Sequence, residues 1–344
     1  MNALDLVREL IALPGPPGQE DAVRDRVAEH VRALGYAAGT DPKGNLLIPL
    51  GPDPRIVVTA HLDEIAMIVR GMDPEGGILV APMGGLHPWK LGEGPVEVMA
   101  PEGGIAGILS FGSIHSEDAA SAARSVEANG LGWGNAKVLT GYNLRQLIGA
   151  GVRPGTRVAL GRSRRTLTPL GNSLVSGPFL DDRADLAAML LALGALRGQE
   201  LPVLFAATVA EEVGGEGAQY LMHRLQPDVC IALELAPLVP DAPITLDATP
   251  ALWVSDSFAA IRPSDIRLVE AAAREAGTGL QFQALSRGGS DASCAAARGL
   301  CARPITLGIP MENSHGCEIM HADAVDALAR LTAALLGVGL GDVR

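Results

Sequence analysis

The sequence predicts an α/β fold in which the two ends of the chain form one three-layer α/β/α domain and a small β-rich domain is inserted between them. In residues 1–66 and 171–344, apolar runs that end in polar residues alternate with helical patterns. Between residues 67 and 170 the pattern changes to short β-like runs separated by glycine and proline. Alternation of this kind is typical of a sheet covered by helices, and the change of pattern indicates a separate module.

The length and composition are those of a globular protein. The chain has 344 residues, of which 48% are hydrophobic and 19% are charged, enough for one large domain or two modest ones. The formal net charge of −12 argues against a nucleic-acid partner, because such proteins present a basic face. No apolar run approaches the roughly 20 residues that span a membrane, and the start is too acidic and too interrupted for a signal peptide. The four cysteines form no C-x-x-C pair, so we expect reduced thiols in a cytoplasmic protein.

The N-terminal region predicts two helices, a hairpin and a strand. Helical patterns lie on either side of the proline-rich break at residues 14–17. Residues 41–45 (Asp-Pro-Lys-Gly-Asn) predict a turn between two strands, since these residue types favour tight turns. Residues 55–60 then predict a buried strand that ends at His61.

The middle of the chain predicts a small β-rich module with one helix near residues 144–150. The predicted strands cover residues 78–81, 96–99, 105–109 and 157–160. His87 and His115 stand isolated there, so we expect surface or interface positions for them.

The α/β pattern resumes at Asn172 and continues to the end of the chain. Predicted strands cover residues 173–180, 201–210, 229–233 and 305–309. Predicted helices cover residues 184–196, a stretch ending at Leu225, residues 264–276 and 290–298, and a final Ala/Leu-rich stretch.

The stretch from Leu201 to Gly217 carries the most specific chemical signal. Ten almost wholly apolar residues end in two adjacent carboxylates, Glu211 and Glu212, which run into a glycine-rich turn. Alone, this pattern would describe a solvated turn at the end of a strand. Two ionised glutamates repel each other unless a positive group holds one of them. A bound metal ion would do so and would leave the other glutamate free to move protons.

Five apolar runs end at, or lead into, a residue type that binds metals: His61, Asp181, Glu212, Glu234 and His315. Two imidazoles and three carboxylates suit a pair of borderline divalent ions such as zinc, cobalt or manganese. Asp63, two residues beyond His61, is placed to accept the second N–H of the imidazole. The chain has no H-E-x-x-H motif, so a helix-borne site for a single zinc is unsupported.

Six motifs accompany these residues. They are Ala60-His61-Leu62-Asp63-Glu64, Leu180-Asp181-Asp182-Arg183, Glu211-Glu212-Val213-Gly214 with Gly217-Ala218, Gly289-Ser290-Asp291-Ala292, Pro14-Gly15 with Glu20, and Asp41 with Gly44-Asn45. In combination they resemble the tetrahedral (glutamyl/deblocking) aminopeptidase family of cocatalytic dinuclear metallopeptidases. The resemblance covers essentially the whole chain. It implies a zinc-peptidase-like catalytic domain over residues 1–66 and 171–344. It also implies that residues 67–170 form a PDZ-like or β-barrel domain through which such enzymes assemble, often as dodecamers.

The resemblance also implies a role for each candidate residue. The first metal would be held by His61, Asp181 and Glu234, and the second by Asp181, Glu212 and His315. Asp181 would therefore bridge the two ions. Glu211 would be the general base that acts on the metal-bound water, and Asp63 would support the catalytic site through His61.

The chain departs from the family pattern at two places. Position 234 is usually aspartate, and Glu234 resembles the choice of some related deacylases. Residues 312–318 read Glu-Asn-Ser-His-Gly-Cys-Glu where the family usually has Arg-Tyr-x-His-Ser, which resembles a side branch found beside genes for the osmolyte N-acetylglutaminylglutamine amide. His321 is the alternative to His315 as a ligand. We prefer His315 because the family has a glutamate three residues after its ligand, where this chain has Glu318.

Three functions are compatible with this pattern. The leading hypothesis is a dinuclear metal-dependent aminopeptidase, zinc being the preferred metal, that hydrolyses short peptides in a cytoplasmic homo-oligomer. Glu234 favours the alternative of an amidohydrolase or deacylase acting on N-acyl amino acids or a small peptide amide. The third function is an inactive scaffold, against which the complete set of Glu211 and five ligands counts. Arg287, Ser290 and Asp291 are candidates for the substrate pocket, or else a helix N-cap with a solvated arginine beside it.

Overall fold

An eight-stranded mixed sheet runs through this computed structural model, which describes residues 2–118 and 120–337. The helices among these residues are α1 (Ala3–Ile11), α2 (Asp21–Ala33), α3 (Pro88–Leu91), α4 (Ala122–Asn129), α5 (Leu144–Gly149), α6 (Leu180–Ala195), α7 (Glu216–Leu225), α8 (Pro263–Ala276), α9 (Asp291–Ala297) and α10 (Ala324–Gly337). The strands are β1 (Gly39–Thr40), β2 (Leu46–Pro49), β3 (Ile56–His61), β4 (Ala66–Met72), β5 (Ile78–Met83), β6 (Gly94–Ala100), β7 (Gly103–Ser110), β8 (Lys137–Leu139), β9 (Arg157–Leu160), β10 (Thr168–Pro169), β11 (Leu174–Pro178), β12 (Val203–Thr208), β13 (Val229–Pro237), β14 (Ala251–Ser255), β15 (Gln281–Ala284), β16 (Arg303–Met311) and β17 (Cys317–His321).

The centre of the large sheet is parallel. Its strand order is β1-β2-β12-β3-β13-β16-β14-β15, and the neighbours β12, β3, β13 and β16 all run in the same direction. The carboxyl ends of these four strands therefore meet at one edge of the sheet, which is where open α/β sheets place their ligands.

Both faces of this sheet are covered by helices, as the sequence predicts. Because successive side chains of a strand point to opposite faces, Val58 belongs to the buried cluster that includes residues of α1, α2, α6, α8 and α10. Its neighbour Val57 belongs to the cluster that includes residues of α7 and α9. Phe205 and Ala206 of β12 divide between the faces in the same way. The three-layer α/β/α arrangement follows from this alternation.

The segment from Ala66 to Leu160 contains a closed six-stranded barrel of order β4-β5-β8-β7-β6-β9. Its interior is filled by small aliphatic side chains such as Val69, Val98 and Val158. The four predicted strands and the predicted helix of this segment are present, whereas the periodicity did not indicate β4, β8 or α4. The domain boundaries themselves, at residues 66/67 and 170/171, stay a prediction.

Several predicted strand ends differ from the structure, and two of them concern glutamates of the candidate site. The strand predicted to continue through residue 210 ends at Thr208, and Ala210 has a left-handed backbone with φ of 55°. Glu211 and Glu212 therefore lie in a turn beyond the strand. The strand predicted to end at Leu233 instead continues to Pro237, which places Glu234 inside β13. Among the described residues, no helix combines the length and the apolarity that a membrane crossing needs.

Candidate metal centre

The five predicted ligands converge at the carboxyl edge of the parallel strands. His61 is the last residue of β3, and Glu234 lies in β13, the strand next to it. Glu212 follows β12, and His315 lies in the turn between β16 and β17. Asp181 comes from the kinked start of α6, where its backbone and that of Asp182 depart from helical geometry.

These residues form two groups that share Asp181. The first group contains His61, Asp181, Asp182 and Glu234, and the second contains Asp181, Glu212 and His315. Within each group the possible ligand atoms all lie within 4.8 Å of one another. The first group contains the residues predicted for one ion together with Asp182, which the sequence analysis did not include, and the second contains the residues predicted for the other ion. That these residues bind metals stays a prediction.

The ionisable side chains within the two groups lie close enough to one another to form hydrogen bonds and ion pairs. Asp181 accepts a hydrogen bond from His61, with 3.0 Å between Oδ1 and Nε2, and its Oδ2 lies 3.4 Å from Nε2 of His315. Burial lowers the pKa of His315, but the carboxylates of Glu212 and Asp181 outweigh this effect and raise it to about 10. The site therefore stabilises positive charge strongly.

The donor set fits divalent cations. Burial raises the pKa of Glu212 to about 7, and its Oε1 is buried without a hydrogen-bond partner. Burial likewise raises the pKa of Glu234 well above its ordinary value, and the charge of Asp181 adds to this. A buried carboxylate oxygen without a hydrogen-bond partner is costly, as is the burial of several carboxylates together. Cations at these two groups would offset that cost, and the oxygen and imidazole donors present are those that zinc-like ions bind.

Asp63 contacts both the imidazole of His61 and the glutamate turn. Nδ1 of His61 lies 3.1 Å from the backbone oxygen of Asp63 and 3.5 Å from its Oδ1. The carboxylate also accepts two backbone N–H groups, those of Glu211 at 2.9 Å and Glu212 at 3.1 Å. The imidazole is thus oriented by the main chain of Asp63, while the side chain orients the glutamate turn.

Two further side chains hold the same turn. Oδ1 of the buried Asn45 accepts the N–H of Val209 at 3.0 Å, and its Nδ2 donates to the oxygen of Gly217 at 3.0 Å. Oε1 of Glu20 accepts the N–H of Ala210 at 3.2 Å. Glu20 and Asn45, which belong to the sequence motifs, therefore bind the backbone of the glutamate turn, as Asp63 does, and lie outside both ligand groups.

The backbone of the ligands is also held by carboxylates. The two oxygens of Glu318 accept the N–H of Asp181 at 3.0 Å and the N–H of His315 at 2.9 Å. Asp182 accepts the N–H of His61. Glu318 therefore acts on His315 as a structural support. His321 lies at the end of β17 and accepts the N–H of Asp323 at 3.2 Å, outside both ligand groups.

A buried charge cluster lies behind the ligands and consists of Glu64, Arg165 and Arg183. The carboxylate of Glu64 accepts hydrogen bonds from both arginines, with 2.8 Å to Nη2 of Arg183. Arg165 follows β9 and also donates to the backbone oxygen of Leu13, while Arg183 donates to that of Leu62 at 2.6 Å. The cluster ties the end of the barrel to the chain that carries His61 and Asp181.

A cavity of about 460 Å³ opens onto the two ligand groups. Glu211 and Glu212 both line it. Its lining also includes the apolar side chains of Leu235, Trp253, Phe258 and Leu285, together with Arg287. A site of this kind can hold a substrate of several residues with its reacting bond beside the carboxylates.

Of the three substrate candidates, only Arg287 lines this cavity. Ser290 is buried and caps α9, because its Oγ accepts the N–H of Ser293 at 3.3 Å. Oδ2 of Asp291 accepts the hydroxyl of Thr208 at 2.6 Å. In the described residues these two side chains therefore support the end of β12 and the start of α9.

A family model described as M42 glutamyl aminopeptidase matches residues 44–331, which is more than half of the chain. The chain belongs to the M42 glutamyl aminopeptidase family. The predicted family and the predicted class of enzyme, a peptidase, are thereby confirmed.

The relatives of this M42 member are distant. The lysyl aminopeptidase of Pyrococcus furiosus is 28% identical over 234 residues, which cover 67% of this chain and 66% of that protein, slightly less than two thirds of its length. The glutamyl aminopeptidase of Lactococcus lactis is 26% identical over 246 residues, covering 69% and 67%. A solved structure of the TET1 peptidase of Pyrococcus horikoshii is 24% identical, covers 97% of this chain and 99% of its own, and has a TM-score of 0.86. This likeness confirms the predicted fold.

Proposed function

We propose that this M42 member is a dinuclear metal-dependent aminopeptidase that removes the N-terminal residue of short peptides. The observation that carries the proposal is the position of Glu211. Its carboxylate lines the same cavity as the two ligand groups that share Asp181, but belongs to neither group. A carboxylate so placed is free to exchange protons with a substrate held there.

We expect two divalent ions per chain, zinc first, with cobalt or manganese as alternatives. The ligands would be His61, Asp181 and Glu234 for one ion and Asp181, Glu212 and His315 for the other. When bound, such ions polarise a carbonyl group and lower the pKa of water. Asp182 is assigned a supporting role, because its Oδ2 already accepts the backbone N–H of His61.

Glu211 would act as the general base. Its carboxylate would take a proton from the attacking water and deliver it to the nitrogen of the departing peptide. Burial raises its pKa well above the ordinary value for glutamate, and nearby cations would lower it again. Asp63 would keep this carboxylate in place through the backbone N–H of Glu211.

The cavity suggests how a peptide would be held. A free N-terminal ammonium would lie near the carboxylates, and the first side chain would extend along the apolar wall toward Arg287. The relatives named lysyl and glutamyl aminopeptidase support a substrate with a free amino terminus. Glu234 stands where the family usually has aspartate, and this departure favours an acyl-amide substrate as the second candidate.

One panel of substrates tests the proposal. Aminoacyl anilides, N-acyl amino acids and a small peptide amide are assayed with and without added zinc, cobalt or manganese. Hydrolysis of the anilides alone supports the aminopeptidase. Hydrolysis of the acylated compounds alone would establish the deacylase instead, and no hydrolysis in any metal would indicate an inactive scaffold.

We also propose that the enzyme assembles as a homo-oligomer through the barrel. A solved structure that is 24% identical is described as a dodecamer, and the barrel exposes Ile108 and Leu139 on its outer surface. The dodecamer, the cytoplasmic location and the osmolyte-associated branch stay predictions.

A further inference from the structure

A second cavity, which His315 also lines, lies between the barrel segment and the strands β11 and β17. It has a volume of about 130 Å³ and is lined by Ile65, Lys90, Leu91, Leu160, Arg164, Pro178, Phe179, His315, Gly316 and Cys317. The lining thus contains two basic side chains and several apolar ones. None of the described residues that line it is acidic.

Arg164 is the unusual member of this lining. Its Nη2 donates to the backbone oxygen of Leu91, while its Nη1 is buried without a hydrogen-bond partner. Burial lowers the pKa of Arg164, which reflects the cost of keeping this guanidinium away from water. A buried donor on a charged group is expensive to leave unpaired, so this guanidinium lacks an acceptor.

The second basic residue, Lys90, is also without an acidic partner. Its Nζ donates to the neutral Oδ1 of Asn313 at 2.6 Å and lies 5.7 Å from the centre of the Trp89 ring. In the described part of the chain neither Lys90 nor Arg164 forms an ion pair with a carboxylate. Two cations therefore face one small cavity with no negative charge to balance them.

We propose that this cavity binds a small carboxylate with a short apolar body. The carboxylate would accept from the guanidinium of Arg164 and lie near Lys90, while its body would contact Leu91, Leu160 and Phe179. The volume corresponds to that of about four water molecules, so a nucleotide or a whole peptide would not fit. Because His315 lines both cavities, such a ligand would bind beside the metal centre without occupying it.

Cys317 provides a local readout of binding. It is the one exposed cysteine among the four, and it lines this cavity. The full-length, metal-loaded protein is treated with iodoacetamide in increasing butyrate, and alkylation of Cys317 is followed by peptide mass spectrometry. We expect butyrate to slow this alkylation in a saturable manner, and butylamine, which has the same body and the opposite charge, to leave it unchanged.

Substitutions locate the bound carboxylate. Arg164→Met should weaken the protection by butyrate at least about tenfold, as expected for loss of a charged hydrogen bond. Lys90→Met should weaken it less. Arg162→Gln is the matched control, because Arg162 is nearby in sequence, its side chain is 80% exposed and it does not line the cavity, so protection should be unchanged.

Several results would overturn this proposal. Equal protection by butyrate and butylamine would show that charge plays no part. Unchanged protection in both Arg164→Met and Lys90→Met would place the ligand elsewhere. Protection that persists in Arg164→Met but disappears in the metal-binding variant Glu212→Gln would place the carboxylate on the metals. The assay measures no turnover, so its result is independent of the proposed peptidase activity.

Discussion

Oδ1 of Asp63 lies 2.9 Å from the backbone nitrogen of Glu211 and accepts its hydrogen bond. This contact joins the end of β3, which carries the proposed metal ligand His61, to the turn that carries the proposed base. The other carboxylate oxygen of Asp63, Oδ2, accepts the backbone N–H of Glu212. The catalytic turn is therefore positioned by a side chain that is itself fully buried.

Replacing Asp63 by asparagine tests this support. The amide keeps the size of the side chain but turns an NH₂ group toward one of the two backbone N–H groups. A buried N–H without a partner costs about 1–3 kcal/mol, so we expect a lower melting temperature and a turnover reduced about tenfold or more. The control is Asp73→Asn, because Oδ1 of Asp73 also accepts backbone N–H groups, in a barrel turn. Equal turnover in both variants would contradict the assignment.

The two glutamates of the turn should differ in their effects. Glu211→Gln keeps the shape of the side chain but cannot accept a proton. We expect it to bind two metals normally, to keep nearly the same KM and to lose about 10²–10⁴-fold in kcat. Glu212→Gln should instead lose metal, and added metal should restore part of its activity. Metal analysis beside steady-state kinetics decides between them, and the reverse pattern would mean that the roles are exchanged.

Glu234 should control both metal content and substrate preference. Glu234→Asp retains a carboxylate at the first ligand group but leaves more room beside it, so we expect two metals and a changed ratio of anilide to acyl-amide hydrolysis. Glu234→Ala should lose one of the two ions. Elemental analysis that finds two ions per chain in Glu234→Ala would remove this residue from the ligands.

The close contact at Gly217 should be intolerant of any side chain. A Cβ there would lie 2.3 Å from the oxygen of Val209 and 2.4 Å from Oδ1 of Asn45. We expect Gly217→Ala to lower the free energy of unfolding by about 1–3 kcal/mol, measured by urea denaturation. Gly149→Ala is the control, because a Cβ at that helical position has nothing within 4 Å. An equal change in both variants would show that the contact is unimportant.

The barrel surface should determine assembly. Light scattering over a dilution series should find a homo-oligomer, and replacing both Ile108 and Leu139 by aspartate should shift it toward smaller species. Phe282→Asp is the control, because Phe282 is 46% exposed, as Ile108 is 47%, but lies on β15 of the large sheet. A strictly monomeric intact protein at every concentration would rule out the proposed assembly.

Much of the fold follows from local patterns in the sequence. Apolar runs predict the parallel strands, because a strand of this sheet is buried on both faces. The positions of the proposed ligands follow from the same runs, because the carboxyl ends of parallel strands meet at one edge of the sheet. The end of β12 was placed two residues too far, since Val209 and Ala210 continue the apolar run although the chain already turns there. The hydrophobic pattern of a sequence does not show where the backbone changes direction.

The supports of the site were harder to predict than its ligands. Asn45 was correctly placed in a hairpin turn, but its contacts with Val209 and Gly217 join segments more than 160 residues apart in the chain. Such contacts form only when folding brings distant segments together, so local sequence patterns do not predict them. For the same reason Asp63 was expected to bind the imidazole through its carboxylate, when the nearer acceptor is its own backbone oxygen.

The cluster of Glu64, Arg165 and Arg183 limits how this protein can evolve. A neutral residue in place of Glu64 would leave two buried arginines facing each other, and loss of either arginine would leave the carboxylate with one partner instead of two. A neutral residue at any one of the three positions therefore breaks at least one buried ion pair, although the positions are up to 119 residues apart in the chain. We therefore expect Glu64, Arg165 and Arg183 to be retained together in related sequences, or to be replaced together.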